Sequence, residues 1–160
     1  MRAAVLTISD SAFSGRREDL SGPAVVQALQ ARGWEVAPVQ VLPDDGAAIR
    51  RALEELCRRG EFQAVFTTGG TGVAPRDVTP EATRQVVERE VPGLGELMRR
   101  EGSRQTPRAA LSRGLVGIRG GTLIVNLPGS PKGAVQSLEA IADLLPHAAE
   151  LIRGGRVEHE

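Results

Sequence analysis

Phe66-Thr67-Thr68-Gly69-Gly70-Thr71-Gly72-Val73-Ala74-Pro75-Arg76-Asp77-Val78-Thr79-Pro80 is the stretch that decides the fold. It begins as the end of a strand and finishes as the start of a helix. Between them stand three glycines, threonines and one carboxylate. Glycine lets a backbone turn sharply and lets a ligand come close to the amides. Successive free N–H groups cradle an anion, most often a phosphate. No Gly-Lys-Ser/Thr follows the glycines, so this is not a Walker A loop. Gly-x-Gly-x-x-Gly is also absent, so it is not a dinucleotide fingerprint. Two readings stand: a phosphate loop with an acid at its exit, and an ordinary tight strand-to-helix turn.

Outward from that stretch, strands alternate with helices. Ala3–Ile8 is a short, continuous apolar strand, as in a parallel sheet buried on both faces. A polar loop, Ser9–Asp19, follows it. Ser21-Gly22-Pro23 opens a helix with Val25, Ala28 and Leu29 on its buried side, and Gly33 stops it. Trp34–Val41 alternates as a second strand, and Pro38 puts it at an edge. Ile49, Leu53, Leu56 and Cys57 recur at helical spacing after Pro43-Asp44-Asp45-Gly46. Asp44 and Asp45 are both N-cap candidates, and one acid more is present than a cap requires.

Ala64–Thr67 is the third strand. Thr79-Pro80-Glu81 gives a cap, a proline and a first-turn acid for a helix expected to run to about Glu90. Pro92-Gly93 breaks it, and Gly95–Glu101 makes another. Leu115–Arg119 and Thr122–Asn126 form a hairpin around Gly120-Gly121. Pro128-Gly129-Ser130-Pro131 leads into a last helical region marked by Val135, Leu138, Ile141, Ala142 and Leu145. Pro146 interrupts that region, and Gly154-Gly155 ends it. The expected fold is α/β: three layers, a mostly parallel twisted sheet with helices on both faces, and one antiparallel edge strand. A single domain, 1–160, fits the length.

Composition narrows the function. The chain is 41% hydrophobic and 25% charged, with formal net charge zero. Neither nucleic acid nor an anionic membrane is called for as a partner. The four aromatic residues, Phe13, Trp34, Phe62 and Phe66, are too few for a base-stacking platform. The single cysteine excludes an internal disulfide and, with no apolar leader after Met1-Arg2-Ala3, fits a cytoplasmic setting. Of the two histidines, His147 lies in a late helix and His159 is expected to be disordered. No zinc spacing and no Ser-His-Asp set can be assembled. Lys132 is the one lysine against nineteen arginines.

Four loops leave the carboxyl ends of strands: Ser9–Asp19, Pro43–Gly46, Gly69–Asp77 and Pro128–Gly133. In an open α/β sheet they meet in one crevice. They bring together glycine amides, hydroxyls, Asp10, Asp44, Asp77 and Lys132. Amides and helix dipoles attract phosphate. Carboxylates beside phosphate make sense when Mg²⁺ lies between them. The residues thus point to a Mg–nucleotide site transferring a phosphoryl or nucleotidyl group. Asp44 and Asp77 also remain readable as turn or helix caps.

Several motifs in order carry a resemblance. They are Ile8-Ser9-Asp10 with Ser14-Gly15, Leu42-Pro43-Asp44, and Thr67-Thr68-Gly69-Gly70-Thr71-Gly72. Arg76-Asp77-Val78-Thr79-Pro80-Glu81-Ala82-Thr83, Pro92-Gly93, Leu111-Ser112-Arg113 and Asn126-Leu127-Pro128-Gly129 complete the set. Over essentially its whole length the chain resembles the molybdopterin adenylyltransferase family of molybdenum-cofactor biosynthesis, whose domain also forms the N-terminal part of gephyrin. The resemblance implies adenylylation of molybdopterin by Mg-ATP, with release of pyrophosphate. It implies that Asp44 and Asp77 are the catalytic acids and organise Mg²⁺. Gly69, Gly70, Thr71 and Gly72 would lie along the nucleotide phosphates, with Pro128, Gly129 and Ser130 on the adenosine side. Ser9, Ser14, Asp19, Ser112 and Arg113 would face the pterin. The resemblance also implies a homotrimer, or a hexamer as in one relative. The alternative is a catalytically weak paralogue serving as a pterin carrier or oligomeric scaffold. A generic phosphoanhydride hydrolase is a third possibility.

Overall fold

A computed structural model describes residues 1–155, and His159 lies outside them. Its centre is a seven-stranded sheet in the order β2-β1-β4-β7-β6-β5, with β3 also on β1. The strands are β1 (Arg2–Ile8), β2 (Glu35–Val36), β3 (Gln40–Leu42), β4 (Ala64–Thr68), β5 (Arg89–Glu90), β6 (Val116–Arg119) and β7 (Thr122–Leu127). β1, β2, β3, β4 and β7 are parallel. β6 runs antiparallel to both β7 and β5.

The alternation along the central strands sorts the core into two layers. Ala3, Val5, Ala64, Phe66, Leu123, Val125 and Leu127 point to one face. There they meet α2 (Ser21–Ala31), α5 (Pro92–Ser103), α6 (Pro131–Ile141) and α7 (Leu145–Ile152). Ala4, Leu6, Ile8, Val65 and Ile124 point to the other, against α3 (Gly46–Arg58) and α4 (Thr79–Val86). From Ala3 to Ile8 in β1 and throughout β4 each residue is buried on one side or the other, which is why these strands begin as continuous apolar runs. Trp34 packs edge-on against Phe66 with ring centroids 6.1 Å apart. Among the described residues, no helix is long and apolar enough to cross a membrane.

Four local expectations need correction. The strand expected over Trp34–Val41 is two short strands, because Pro38 cannot donate to the ladder at mid-strand. The helix expected to reach Glu90 stops at Val86. Val87 turns extended (φ −70°, ψ 142°), and the chain then pairs with β6 as β5. The expected antiparallel strand, β6, stands at that end of the sheet, with only the two residues of β5 beyond it. Pro92 opens α5 as well as ending the preceding segment, since its fixed φ suits a first turn. Finally, the loop after β1 contains a helical turn, α1 (Asp10–Phe13), capped by Ser9.

The segment between α5 and β6 also hides structure that composition did not reveal. Thr106 accepts the Arg108 N–H, and Pro107 starts a 3-10 turn that runs to Leu111. The same hydroxyl-then-proline pairing opens α6 at Ser130-Pro131. The signal was thus present at Thr106-Pro107.

Candidate active site

The parallel strands β1, β3, β4 and β7 all end on one edge of the molecule, and the four polar loops emerge there. Gly69 and Gly70 take φ of 105° and 65°, the left-handed region that glycine enters without penalty. A Cβ on Gly69 would collide with the Ile8 carbonyl, so the two strand ends approach only because it is absent. The Gly69 N–H donates to the Leu127 carbonyl (3.1 Å), and Thr68 Oγ1 donates to Pro128 O (2.7 Å). These bonds set the glycine loop beside the Pro128–Ser130 loop.

Two clefts meet at this loop. The larger, about 750 Å³, includes Thr7, Ser9, Asp19, Asp44, Thr68 and Gly69 in its walls. The smaller, about 330 Å³, is lined by Thr71, Gly72, Thr106, Arg108, Ser112, Pro128, Gln136 and others. Gly70, Asp77, Gly129 and Ser130 line both. The junction is therefore glycine backbone, one carboxylate and a helix-capping serine.

Asp77 stands at the junction and Asp44 in the wall of the larger cleft, held by different means. Asp45, not Asp44, caps α3, accepting from Ala48 N–H at 3.0 Å. That frees Asp44, whose Oδ2 accepts the Asp10 N–H at 2.9 Å. Burial pushes the Asp44 carboxyl up from its ordinary value, and the neighbouring charges of Asp10 and Asp77 push it further. Asp77 does not cap α4. Its Oδ2 accepts the Ala74 N–H (2.9 Å) and braces the loop. A Cβ on Gly72 would stand 2.8 Å from that oxygen. Thr79, expected as a cap, instead donates its hydroxyl to the Gly69 carbonyl (3.0 Å) from inside the first turn of α4.

Two arginines clip the loop from opposite sides. Arg76 donates to Asp10 Oδ2 (2.6 Å) and to the Asp44 carbonyl (3.2 Å). The bond to Asp10 holds that carboxyl below its usual range. Arg113 donates to the carbonyls of Gly72 and Asp77, each at 2.7 Å, and pairs with Glu81. The sequence pattern assigned no role to Arg76, because its partners come from two other loops.

The residues expected on the pterin side are not brought together. Ser9 and Asp19 line the larger cleft and Ser112 the smaller. Arg113 lines neither, its guanidinium being spent on the glycine loop. Ser14 also lies outside both, donating to Ser11 O and accepting from Arg16. Asp19 is internally engaged: Oδ2 takes the Thr7 hydroxyl (2.7 Å) and Oδ1 the Gly22 N–H (3.0 Å). Lys132 is exposed and lines neither cleft.

Among the described residues, no group of three or more His, Cys, Asp or Glu side chains forms a ready metal cage. Asp44 and Asp77 are hard oxygen donors, near enough that the charge of Asp77 helps to raise the Asp44 carboxyl. Mg²⁺ is commonly held by one or two carboxylates, the rest of its shell coming from water and substrate phosphate. The donor set fits that mode.

The sequence profile described as a probable molybdopterin binding domain matches residues 4–147. The chain belongs to the molybdopterin-binding domain family. Within that family it is 40% identical to a molybdopterin adenylyltransferase of Helicobacter pylori, over 96% of this chain and 89% of that protein. It is 48% identical to the molybdenum cofactor synthesis protein cinnamon of Drosophila melanogaster, over 92% of this chain. It spans only 25% of cinnamon's length. A crystal structure of the molybdopterin biosynthesis enzyme MoaB from Thermus thermophilus superposes with a TM-score of 0.90. That protein is 50% identical, with 98% of this chain and 99% of the other covered.

Proposed function

We propose that this protein is a nucleotidyltransferase that adenylylates molybdopterin with Mg-ATP and releases pyrophosphate. The observation that carries this reading is the meeting of two clefts at Gly70, Asp77, Gly129 and Ser130. A transfer between two bulky substrates needs two recesses and one shared reacting point. The curated relatives named molybdopterin adenylyltransferase, at 35% to 40% identity, support the same chemistry.

The terminal phosphate oxygen of molybdopterin attacks the α-phosphorus of ATP. The bond from that phosphorus to the bridging oxygen breaks, and pyrophosphate carries the electron pair away. The nucleophile is already an anion, so no histidine base is required. The chain's part is positioning and charge neutralisation. Gly69–Gly72 amides would face the phosphates, and Pro128–Ser130 would flank the adenosine. Asp44 and Asp77 would hold Mg²⁺, which supplies neutralisation of the phosphate charge when bound. We also propose one domain over 1–160, a cytoplasmic setting and a homotrimer. Sedimentation equilibrium distinguishes a trimer from a hexamer or monomer.

The test is incubation with molybdopterin, ATP and Mg²⁺, monitored for pyrophosphate. Wild type is expected to release it only when the pterin is present. Asp44→Ala and Asp77→Ala are each expected to lower kcat by a factor on the order of 10³, with unfolding midpoints near wild type. Pterin binding without pyrophosphate would favour the carrier reading. Pyrophosphate released from ATP alone would favour a hydrolase.

A further inference from the structure

Asp10 links separate loops on this edge of the sheet through both of its carboxylate oxygens. It occupies the first position of α1, directly after the capping Ser9. Its N–H donates to Asp44 Oδ2, and the Asp44 N–H donates back to Asp10 Oδ1, both at 2.9 Å. Each acid thus spends one oxygen on the other's amide. Asp10's second oxygen takes Arg76 Nε at 2.6 Å. Arg76 also reaches the Asp44 carbonyl. Loops from β1, β3 and β4 are therefore joined at one side chain.

The consequence falls on Asp44. A carboxylate anchored at a single point swivels about its side-chain bonds. Here the residue is pinned twice, at its own N–H and at Oδ2. Asp44 Oδ1 accepts no hydrogen bond among the described residues, and a Cβ on Gly70 would lie 3.1 Å from it. The pinned acid therefore presents one bare oxygen to the loop that lines both clefts.

The charge on Asp10 has a separate use. An uncharged amide would also accept the Asp44 N–H, without adding a second negative charge beside Asp44. What an amide cannot do is match Arg76 with a carboxylate oxygen while the other oxygen is occupied. The bracket needs the acceptor, and the strap across to the glycine loop needs the charge.

We propose that Asp10 is a positioning residue for this site. Through the reciprocal bracket it aims Asp44 Oδ1, and through Arg76 it sets how closely the Gly69–Asp77 loop lies against that oxygen. The proposal rests on Asp44 being a working acid of adenylyl transfer.

Four variants test it: Asp10→Ala, Asp10→Asn, Arg76→Gln and Asp44→Ala. Each is measured for kcat and for both KM values. Each is also titrated with Mn²⁺ in the presence of a non-hydrolysable ATP analogue, read by electron paramagnetic resonance. Asp10→Ala loses bracket and strap; kcat is expected to fall about a hundredfold, with KM values within a few-fold of wild type. Mn²⁺ affinity is expected to fall about tenfold or more. Asp10→Asn keeps the bracket and loses the strap, as Arg76→Gln does. These two are expected to match each other at about a tenfold loss, and their combination to be no worse than either.

Asp44→Ala turning over at the wild-type rate overturns the functional reading, and this proposal with it. Asp44→Ala inactive beside Asp10→Ala at wild-type kcat and Mn²⁺ affinity overturns this proposal alone. Should Asp10→Ala not fold, Asp10→Asn and Arg76→Gln decide. Unequal losses, or none in either, overturn it.

Discussion

Gly70 carries three constraints at one residue. Its φ is 65°, its absent side chain leaves room for the Thr79 hydroxyl, and Asp44 Oδ1 stands close by. An alanine here meets backbone strain of about 1–2 kcal/mol. It also pushes on the hydroxyl that ties α4 to the Gly69 carbonyl. Gly70→Ala is expected to cost about 2–3 kcal/mol in urea unfolding and to lower adenylylation at least tenfold. A stable, fully active Gly70→Ala would mean the loop is a plain turn. Cys57 makes a different statement. It sits on α3 among core residues, and burial pushes its thiol up to about 11 from 9.0. The folded state thus keeps a proton that the unfolded chain loses earlier. Below pH 9 both states are neutral and no contribution appears. Stability attributable to Cys57 is lost as pH rises from 9 toward 11, by an amount on the order of 1–2 kcal/mol. Cys57→Ala should flatten that part of the unfolding curve. At about pH 8, iodoacetamide should alkylate native Cys57 on the order of a hundredfold more slowly than the unfolded chain. Equal rates would remove the burial argument.

At the scale of elements, β5 shows where a pattern stops being informative. Val86-Val87-Glu88-Arg89-Glu90 has helix-compatible residues, and a two-residue strand has no period to detect. The pairing depends on a residue far off in sequence. Gly117 on β6 faces Val87, and a Cβ there would lie 2.6 Å from Val87 Cγ1 and 2.9 Å from the Arg89 carbonyl. Gly117→Ala is expected to loosen β5 and cost about 1–3 kcal/mol. Hydrogen exchange should be faster at Glu88 and Val91, whose N–H groups bond Ile118 and Val116. Unchanged protection would show that β5 has slack to absorb the methyl. The longer elements were legible because their periods are strong. Ala4, Leu6 and Ile8 against Ala3 and Val5 already divide β1 between two cores. The site loops were legible in kind, since glycines at positive φ and paired acids are local signals. Their partners were not. Which of Asp44 and Asp45 caps α3, and which loop Arg113 grips, follow from strand register and loop placement that no local spacing encodes.

For the whole molecule, the arrangement of two clefts around one loop has a directional consequence. The larger is walled by the loops after β1 and β3, and the smaller by the Thr106–Ser112 turn and α6. Their walls share Gly70, Asp77, Gly129 and Ser130, the glycine loop and the start of α6 contribute to both, and the remaining residues come from different elements. Two substrates that react at that junction would each occupy one of these recesses beside the Gly69–Asp77 loop. Hydrogen exchange measured with a Mg-bound, non-hydrolysable ATP analogue should protect the loop and the wall of one cleft. Adding molybdopterin should extend protection to the other wall without releasing the first. Arg76 and Arg113 brace the loop from the two sides, so its protection should exceed that of either wall in both states. Protection of one wall by both ligands in turn would mean that they compete for a single recess. The junction would then lose its standing as the point of transfer.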